Sequence, residues 1–318
     1  MEQAKCNTKV AGIDVSKSKL DVAAHGSDAG SVVQFGNDPA GFERLGAWLA
    51  AQAIGRVGLE ATGGYERRLV AWLHANGLEV VVHQPLEVRL FARLKRRRAK
   101  NDRIDALLIA AATAQVDAVK AAADPLYAEL AERMTAYEQA SDDLARLKAC
   151  LEHVTLADLK ASYEARIEIA KAWKQRLLAD LVQRIKARED LAQRHQLLTS
   201  LPGVGPVVAA ALVVRMPELG SLSPGQAASM LGVAPFDYDT GRFKGQRHIA
   251  GGRTRPRRLV YLAALVASRH DPGLRAFAQR LRAAGKKPKV VIVAVMRKLI
   301  QAANLVLARG APWRPLTA

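Results

Sequence analysis

Hydrophobic positions along the first 118 residues switch repeatedly between strand and helix periods. Lys9 to Asp14 (KVAGID), Leu20 to His25 (LDVAAH) and Ser31 to Phe35 (SVVQF) are short β-type runs parted by the turn-rich VSKSK and GSDAG. They predict a three-strand meander. After Asn37-Asp38-Pro39, a helix start signal, Phe42, Leu45, Trp48 and Leu49 recur at helical spacing. Val57 to Glu60 reads as a fourth strand, Leu69, Trp72 and Leu73 as a second helix ending at Gly77, and Leu78 to His83 as a fifth strand. The order βββαβαβ, followed by a helix, predicts a mixed sheet with helices packed on it.

The texture changes at Val119. From there to about Thr199 the chain has one Pro and no Gly, with apolar residues at Leu126, Leu130, Met134, Tyr137, Leu144, Leu147 and Leu151, then Ile167, Leu177, Leu181 and Ile185. Long helices follow from this, either an antiparallel arm or dimerising coiled coil, or a plain helical linker. Beyond Leu201 the pattern is helical again: LPGVGPVVAAALVVRM, LSPGQAASMLGVAP, a basic stretch GRFKGQRHIAGGRTRPRR, an apolar helix over Leu259 to Ala267 and a last helix over Val290 to Leu307. The expected division is 1–118, an α/β domain; 119–198, a helical arm; and 199–318, a mainly α domain.

Composition narrows the class. With 318 residues, half of them hydrophobic, the chain can build more than one core and is not a disordered tail. The longest unbroken apolar run, Leu259 to Ala267, is far short of a bilayer span, and MEQAKCNTKV has no signal-peptide core. Cytoplasm without a membrane partner is the expectation, and Cys6 and Cys150 read as ordinary thiols. The formal charge of +18 is unevenly placed: residues 241–318 hold 18 Lys and Arg against one acid, Asp271, whereas residues 1–240 hold 30 bases and 29 acids. Such a surface attracts a polyanion, nucleic acid before an anionic membrane, and a solvated basic face is the bland alternative.

Four acids stand out by position. Asp14 ends the first strand, Glu60 ends the fourth, and Asp102 and Asp105 lie three apart in KNDRIDA at a helix start. Strand ends converge on one edge and an i, i+3 pair shares a helix face, so the four could surround two divalent cations. Phosphodiester chemistry uses such a pair to activate the incoming oxygen and neutralise the leaving one. The alternative is a turn cap, an exposed acid and an ordinary helix start. Just upstream, Lys95, Arg96, Arg97, Arg98 and Lys100 could hold a phosphate backbone over the carboxylates, or form a solvated charge run.

GIDVSKSKLDV, LEATGGYE and KNDRIDA resemble the RNase H/RuvC-like DEDD domain of the insertion-sequence-110 family of transposases, the group that includes the Piv-type DNA invertases. LLTSLPGVGPVVAAALV, LGVAPF, DTGRFKGQRHIAGGRTRPRRLVYLAAL and GKKPKVVIVAVMRKLI resemble that family's C-terminal transposase domain. The resemblance spans nearly the whole chain in order. It implies a DNA recombinase in which Asp14, Glu60, Asp102 and Asp105 bind Mg2+. It also implies donor and target DNA as substrates, a structured non-coding bridge RNA that selects them, and assembly as a dimer or tetramer. The family's nucleophile is a serine in a motif like DSG-x-x-x-G. This chain has Asp239-Thr240-Gly241 there, and no serine lies between Met230 and Ala267. Thr240 is the expected nucleophile, its hydroxyl bulkier and its χ1 stiffer than serine's.

Leu201-Pro202-Gly203-Val204-Gly205 resembles the hairpin of a helix-hairpin-helix, where backbone N–H groups approach a phosphate; the same pattern also simply joins helices. Lys244, Arg247, Arg253, Arg255, Arg257 and Arg258 crowd a basic segment suited to tracking a backbone, and Lys286 and Lys287 precede the last helix. Two rival readings fit the same residues: a RuvC-like nuclease or resolvase indifferent to Thr240, and a non-catalytic nucleic-acid-binding relative.

Overall fold

In the first strand, β1 (Lys9–Val15), side chains alternate between two unlike layers, and this alternation organises the N-terminal part of the fold. The computed structural model describes residues 9–95, 102–117, 119, 124–237, 245 and 247–314; of residues 29 and 102–104 only the backbone is described. The chain divides into two compact units, 1–125 and 126–318.

In the first unit β1 pairs antiparallel with β2 (Lys19–Ala24), which pairs antiparallel with β3 (Val33–Gly36). On its other side β1 pairs parallel with β4 (Ile54–Glu60), and β4 with β5 (Glu79–His83). The five-stranded order is β3-β2-β1-β4-β5, a mixed sheet consistent with the RNase H-like expectation. One face carries Ala11, Ile13, Val15, Leu20, Val22, Val57 and Leu59. It buries them against Phe42, Leu45 and Leu49 of α1 (Pro39–Ala51) and Leu69 and Leu73 of α2 (Arg67–Ala75). Asp38 starts α1 as its sequence predicts: the carboxylate accepts from Gly41 N–H at 2.8 Å, with Pro39 in the first turn.

The opposite face is nearly flat. Gly12 and Gly58 have no Cβ there, and α4 (Asp102–Thr113) lies on them so closely that a Cβ on Gly12 would stand 2.2 Å from the Ala106 carbonyl oxygen. A Cβ on Gly58 would stand 1.7 Å from Thr113 Oγ1. Between β5 and α4 the chain forms α3 (Pro85–Leu94), which sequence periodicity did not separate; Glu87 accepts from the Gln84 N–H at 2.9 Å and fixes its first turn.

The second unit is helical. α5 (Pro125–Leu151) and α6 (Ala157–Lys186) run antiparallel, as ion pairs of Arg184 with Glu129 and of Arg133 with Asp180 show, with Lys174 over the Tyr137 ring. Their inner ends bury Leu130, Met134, Leu181 and Ile185 in the same core as α7 (Glu189–Thr199), α8 (Pro206–Arg215), α9 (Pro224–Leu231) and α10 (Thr254–His270). A short helix unforeseen in the sequence, α11 (Pro272–Ala283), starts where Asp271 accepts from Leu274 N–H at 2.8 Å. α12 (Pro288–Arg309) is long and apolar enough to cross a membrane by composition, yet Val291, Val295, Leu299 and Ala303 are sunk in this core, as expected of a central core helix. The two-residue strands β6 (Pro235–Phe236) and β7 (His248–Ile249) pair on either side of 237–247, the stretch holding Thr240.

Candidate functional site

Strand register decides which acids can meet. Ile13 pairs with Leu59 across the parallel β1–β4 ladder, so Asp14 and Glu60, each the next residue, lie side by side at the C-terminal ends of adjacent strands. Period-2 alternation puts Asp14 on the face of Gly12 and Glu60 on the face of Gly58, the face on which α4 rests. Asp105 immediately precedes Ala106, the residue in contact with Gly12, and Asp102 lies one turn earlier on the same helix. The fold thus delivers three half-buried acids, Asp14, Glu60 and Asp105, to one layer; the side chain of Asp102 lies outside the described residues. Among the described residues no three His, Cys, Asp or Glu side chains form a closed metal-binding group. As a donor set, carboxylate oxygens at this edge suit a hard divalent cation such as Mg2+.

A further carboxylate on this layer was missed in the sequence. Asp21 stands directly across the antiparallel ladder from Asp14 and is only 6% exposed. Its Oδ1 accepts from Gln34 Nε2 at 2.9 Å, and its Oδ2 lies 3.1 Å from Lys19 Nζ. The signal was present: the short turn Ser16–Lys19 fixes the hairpin so that each pair of facing positions sums as 15 with 20 and 14 with 21. Loops at the same edge are tied down. Asn37 Nδ2 donates to Ser16 O at 2.8 Å and Tyr65 O at 3.3 Å, and Glu66 accepts from the N–H groups of Thr62 and Gly64. The bend at Gly63 and Gly64 uses φ of +67° and +109°, which glycine supplies without strain.

His83 lies on the rung beside Glu60. Thr113 Oγ1 donates to Ile109 O at 2.7 Å, so it accepts from His83 Nε2–H at 2.8 Å. Burial holds the imidazole pKa below its ordinary value, with Glu87 opposing. Of the basic run before α4, Lys95 is exposed with its ammonium over the Phe91 ring, while Arg96, Arg97, Arg98 and Lys100 lie outside the described residues.

The basic positions of the second unit sort by what they touch. Arg253 forks onto Glu218 at 2.7 and 2.8 Å and donates to Arg215 O, and Arg257 donates to Gly232 O and Gly251 O. Both hold the framework together. Arg255 pairs with Glu138, Arg258 with Asp142 and Arg247 with Asp237, all largely exposed on the arginine side. The Arg258 and Arg247 pairs are exposed on both sides and such pairs are weak, so a phosphate can compete for those guanidinium groups, whereas Glu138 is only 18% exposed and is shared with Arg215. Below Arg255 and Arg258 opens a cleft of about 840 Å³ walled by Val208, Leu259, Tyr261 and Met296, an apolar floor under cations. Nucleic-acid strands use that combination for bases and phosphates. In the α7–α8 turn, Gly203 has φ +75° and would clash with Ala263 O if it carried a Cβ, whereas Gly205 faces open space at the start of α8. His195 Nε2–H donates to Pro206 O at 3.2 Å and braces this turn. Lys286 and Lys287 are exposed ahead of α12. Thr240 and Lys244 lie outside the described residues.

Two family models match this sequence. Residues 11–157 match one described as Transposase, the DEDD domain of IS110 transposases, and residues 195–279 match Transposase IS116/IS110/IS902 family. The chain is 25% identical over 324 aligned positions to the pilin gene-inverting protein of Moraxella bovis, covering 95% of this chain and 96% of that protein, and matches that of Moraxella lacunata to the same extent. It is 30% identical over 141 positions, 41% of this chain and 34% of the relative, to an uncharacterized 42 kDa protein of insertion element IS900 from Mycobacterium paratuberculosis.

Proposed function

Carrying both domains in order, the chain belongs to the IS110 transposase family and is a DNA transposase or recombinase, and from that premise we propose how its residues divide the work. Asp14, Glu60, Asp102 and Asp105 hold Mg2+ at the N-terminal sheet edge. Two bound cations would supply charge neutralisation on the phosphate and a lowered barrier to oxygen attack. Thr240 is the nucleophile: its Oγ1 gives up its proton and forms a bond to phosphorus as a deoxyribose oxygen leaves and takes up a proton, which conserves the phosphodiester energy for rejoining. The exposed cations Arg247, Arg255, Arg258, Lys286 and Lys287, with the backbone at Gly203 and Gly205, hold the nucleic-acid backbone. Donor and target DNA are chosen by pairing with a bridge RNA, so that the protein needs backbone contacts more than base contacts. The relatives named for inverting a pilin gene support inversion or insertion of a DNA segment as the outcome.

The carboxylates and Thr240 belong to different units, so a working site is composite. Assembly as a dimer or tetramer supplies one, with the outer part of the α5–α6 hairpin as a coiled-coil contact. There Ile169 and Trp173, one helical turn apart, are exposed apolar residues.

The observation that carries this reading is the register that sets Asp14 beside Glu60 on the face covered by α4. Purified protein incubated with Mg2+, bridge RNA, donor and target DNA should yield a covalent protein–DNA adduct seen after denaturing electrophoresis. Asp14→Asn and Thr240→Ala should each abolish it. An adduct that survives Thr240→Ala removes that residue as nucleophile. Threonine at the serine position favours one second reading, a metal-dependent nuclease; strand cleavage without adduct, unchanged by Thr240→Ala, would establish it.

A further inference from the structure

Beside the two strand-end acids, the same face of the sheet holds a cation in place. Lys19 and Asp21 share the strand parity of the face that bears Asp14, and Lys19 is the residue where the β1–β2 turn closes. Its main chain is fixed twice: the N–H donates to Ser16 Oγ at 3.2 Å, and the carbonyl accepts from Ser16 N–H at 2.9 Å and Ser16 Oγ at 3.0 Å. Its ammonium lies 3.1 Å from the buried Asp21 carboxylate, whose other oxygen is taken by Gln34. The lysine side chain is nonetheless 39% exposed, so a cation rooted in the turn is also within reach of solvent.

A buried carboxylate used only to pair a lysine is a poor stabiliser, since desolvation offsets much of the attraction. Its effect here is geometric. An edge carrying Asp14, Glu60 and Asp105 repels a phosphodiester, and a cation anchored among them counters that repulsion where the backbone must approach. We propose that Lys19 binds a non-bridging phosphate oxygen of the nucleic acid at the carboxylate edge, and that Asp21, held by Gln34, is the positioning residue that aims it. The proposal rests on reading this edge as the catalytic centre.

The test uses full-length protein and a 30-base-pair DNA duplex in EDTA, with binding measured by fluorescence anisotropy from 50 to 200 mM KCl. Lys19→Met should flatten the plot of log affinity against log salt by about 0.9, so that this variant loses about 3.5-fold less affinity than wild type across the range. Lys19→Arg should retain the wild-type slope. Because Lys19→Met strands a buried charge and can unfold the domain, Asp21→Asn/Lys19→Met, which leaves neither charge, is measured beside it and should show the same flattened slope. Wild-type slope and affinity in the double variant would overturn the proposal and leave Lys19 as a counterion to Asp21. Asp14→Asn separates the two readings: DNA cleavage that survives it in Mg2+ removes the catalytic centre, while the slopes still decide on Lys19.

Discussion

At the scale of single residues, the N-terminal site depends on what two glycines lack. Gly58 admits the Thr113 hydroxyl, which in turn accepts a hydrogen bond from His83 Nε2–H. Gly58→Ala should cost about 1–3 kcal/mol through overpacking, and a similar amount again if the displaced hydroxyl leaves buried His83 Nε2–H unpaired. Thermal unfolding should record the loss. Metal-dependent DNA cleavage, measured where the variant is still folded, should fall as well, because α4 carries Asp105 and shifts with Thr113. A fall in stability with cleavage unchanged would show that α4 does not set the acid's position. The positions of Asp14, Glu60 and Asp105 near strand ends and a helix start were legible in the sequence, and the β1–β4 register sets Asp14 beside Glu60. The glycines beneath α4 and the Asp21–Lys19 pair were not, because their roles arise across strands. A reading along one strand sees GID and KLD as separate runs.

Among elements, hydrophobic period located the five strands, α1, α2 and the long helices, since each buries one continuous face. It placed a helix after β5 without separating α3 from α4: Leu86, Leu90 and Leu94 make a helical stripe that is exposed, so the pattern has no core partner to mark it. It also passed over α11, whose start is set by the Asp271 cap and whose buried contribution is small. Where elements join, two buried histidines act as braces: His83 between β5 and α4, and His195 between α7 and the start of α8. Burial lowers both pKa values, with the Pro206 carbonyl opposing and Lys186 assisting at His195. A depressed histidine pKa means that the unfolded chain binds protons the folded one refuses. Stability therefore rises with pH between the folded value and the ordinary value of about 6.5. The unfolding midpoint should be level above about pH 7 and fall on acidification below it. His195→Gln keeps a donor for Pro206 O without a titrating group, and should lessen the acid loss. An unchanged acid slope in that variant would assign the pH dependence elsewhere.

For the whole molecule, the uneven charge becomes a division of labour. Nearly all the excess charge lies beyond residue 240, in the unit that contains Thr240, whereas the acids proposed to hold Mg2+ lie in the other. Within the basic unit, Arg253 and Arg257 are committed to Glu218 and to backbone carbonyls. Within the basic segment, that leaves the more exposed Arg247, Arg255 and Arg258 as the arginines proposed to contact DNA, with the lysines ahead of α12 beside them. A site split between units can be completed within one chain or between two, and complementation decides between them. Asp14→Ala lacks an acid but keeps the hydroxyl, and Thr240→Ala keeps the acids but lacks the hydroxyl. If protomers exchange their halves, mixing these two inactive variants before adding DNA generates sites with both parts intact. In a dimer with two reciprocal sites, random pairing makes half of the molecules mixed, and one of the two sites in each of those is whole. Adduct formation should then return to about a quarter of the wild-type level in this statistical limit, and it should not return when the variants are added to separate DNA and mixed after quenching. No adduct from the mixture, with mixed oligomers verified by differently tagged subunits, would confine the composite site to a single chain.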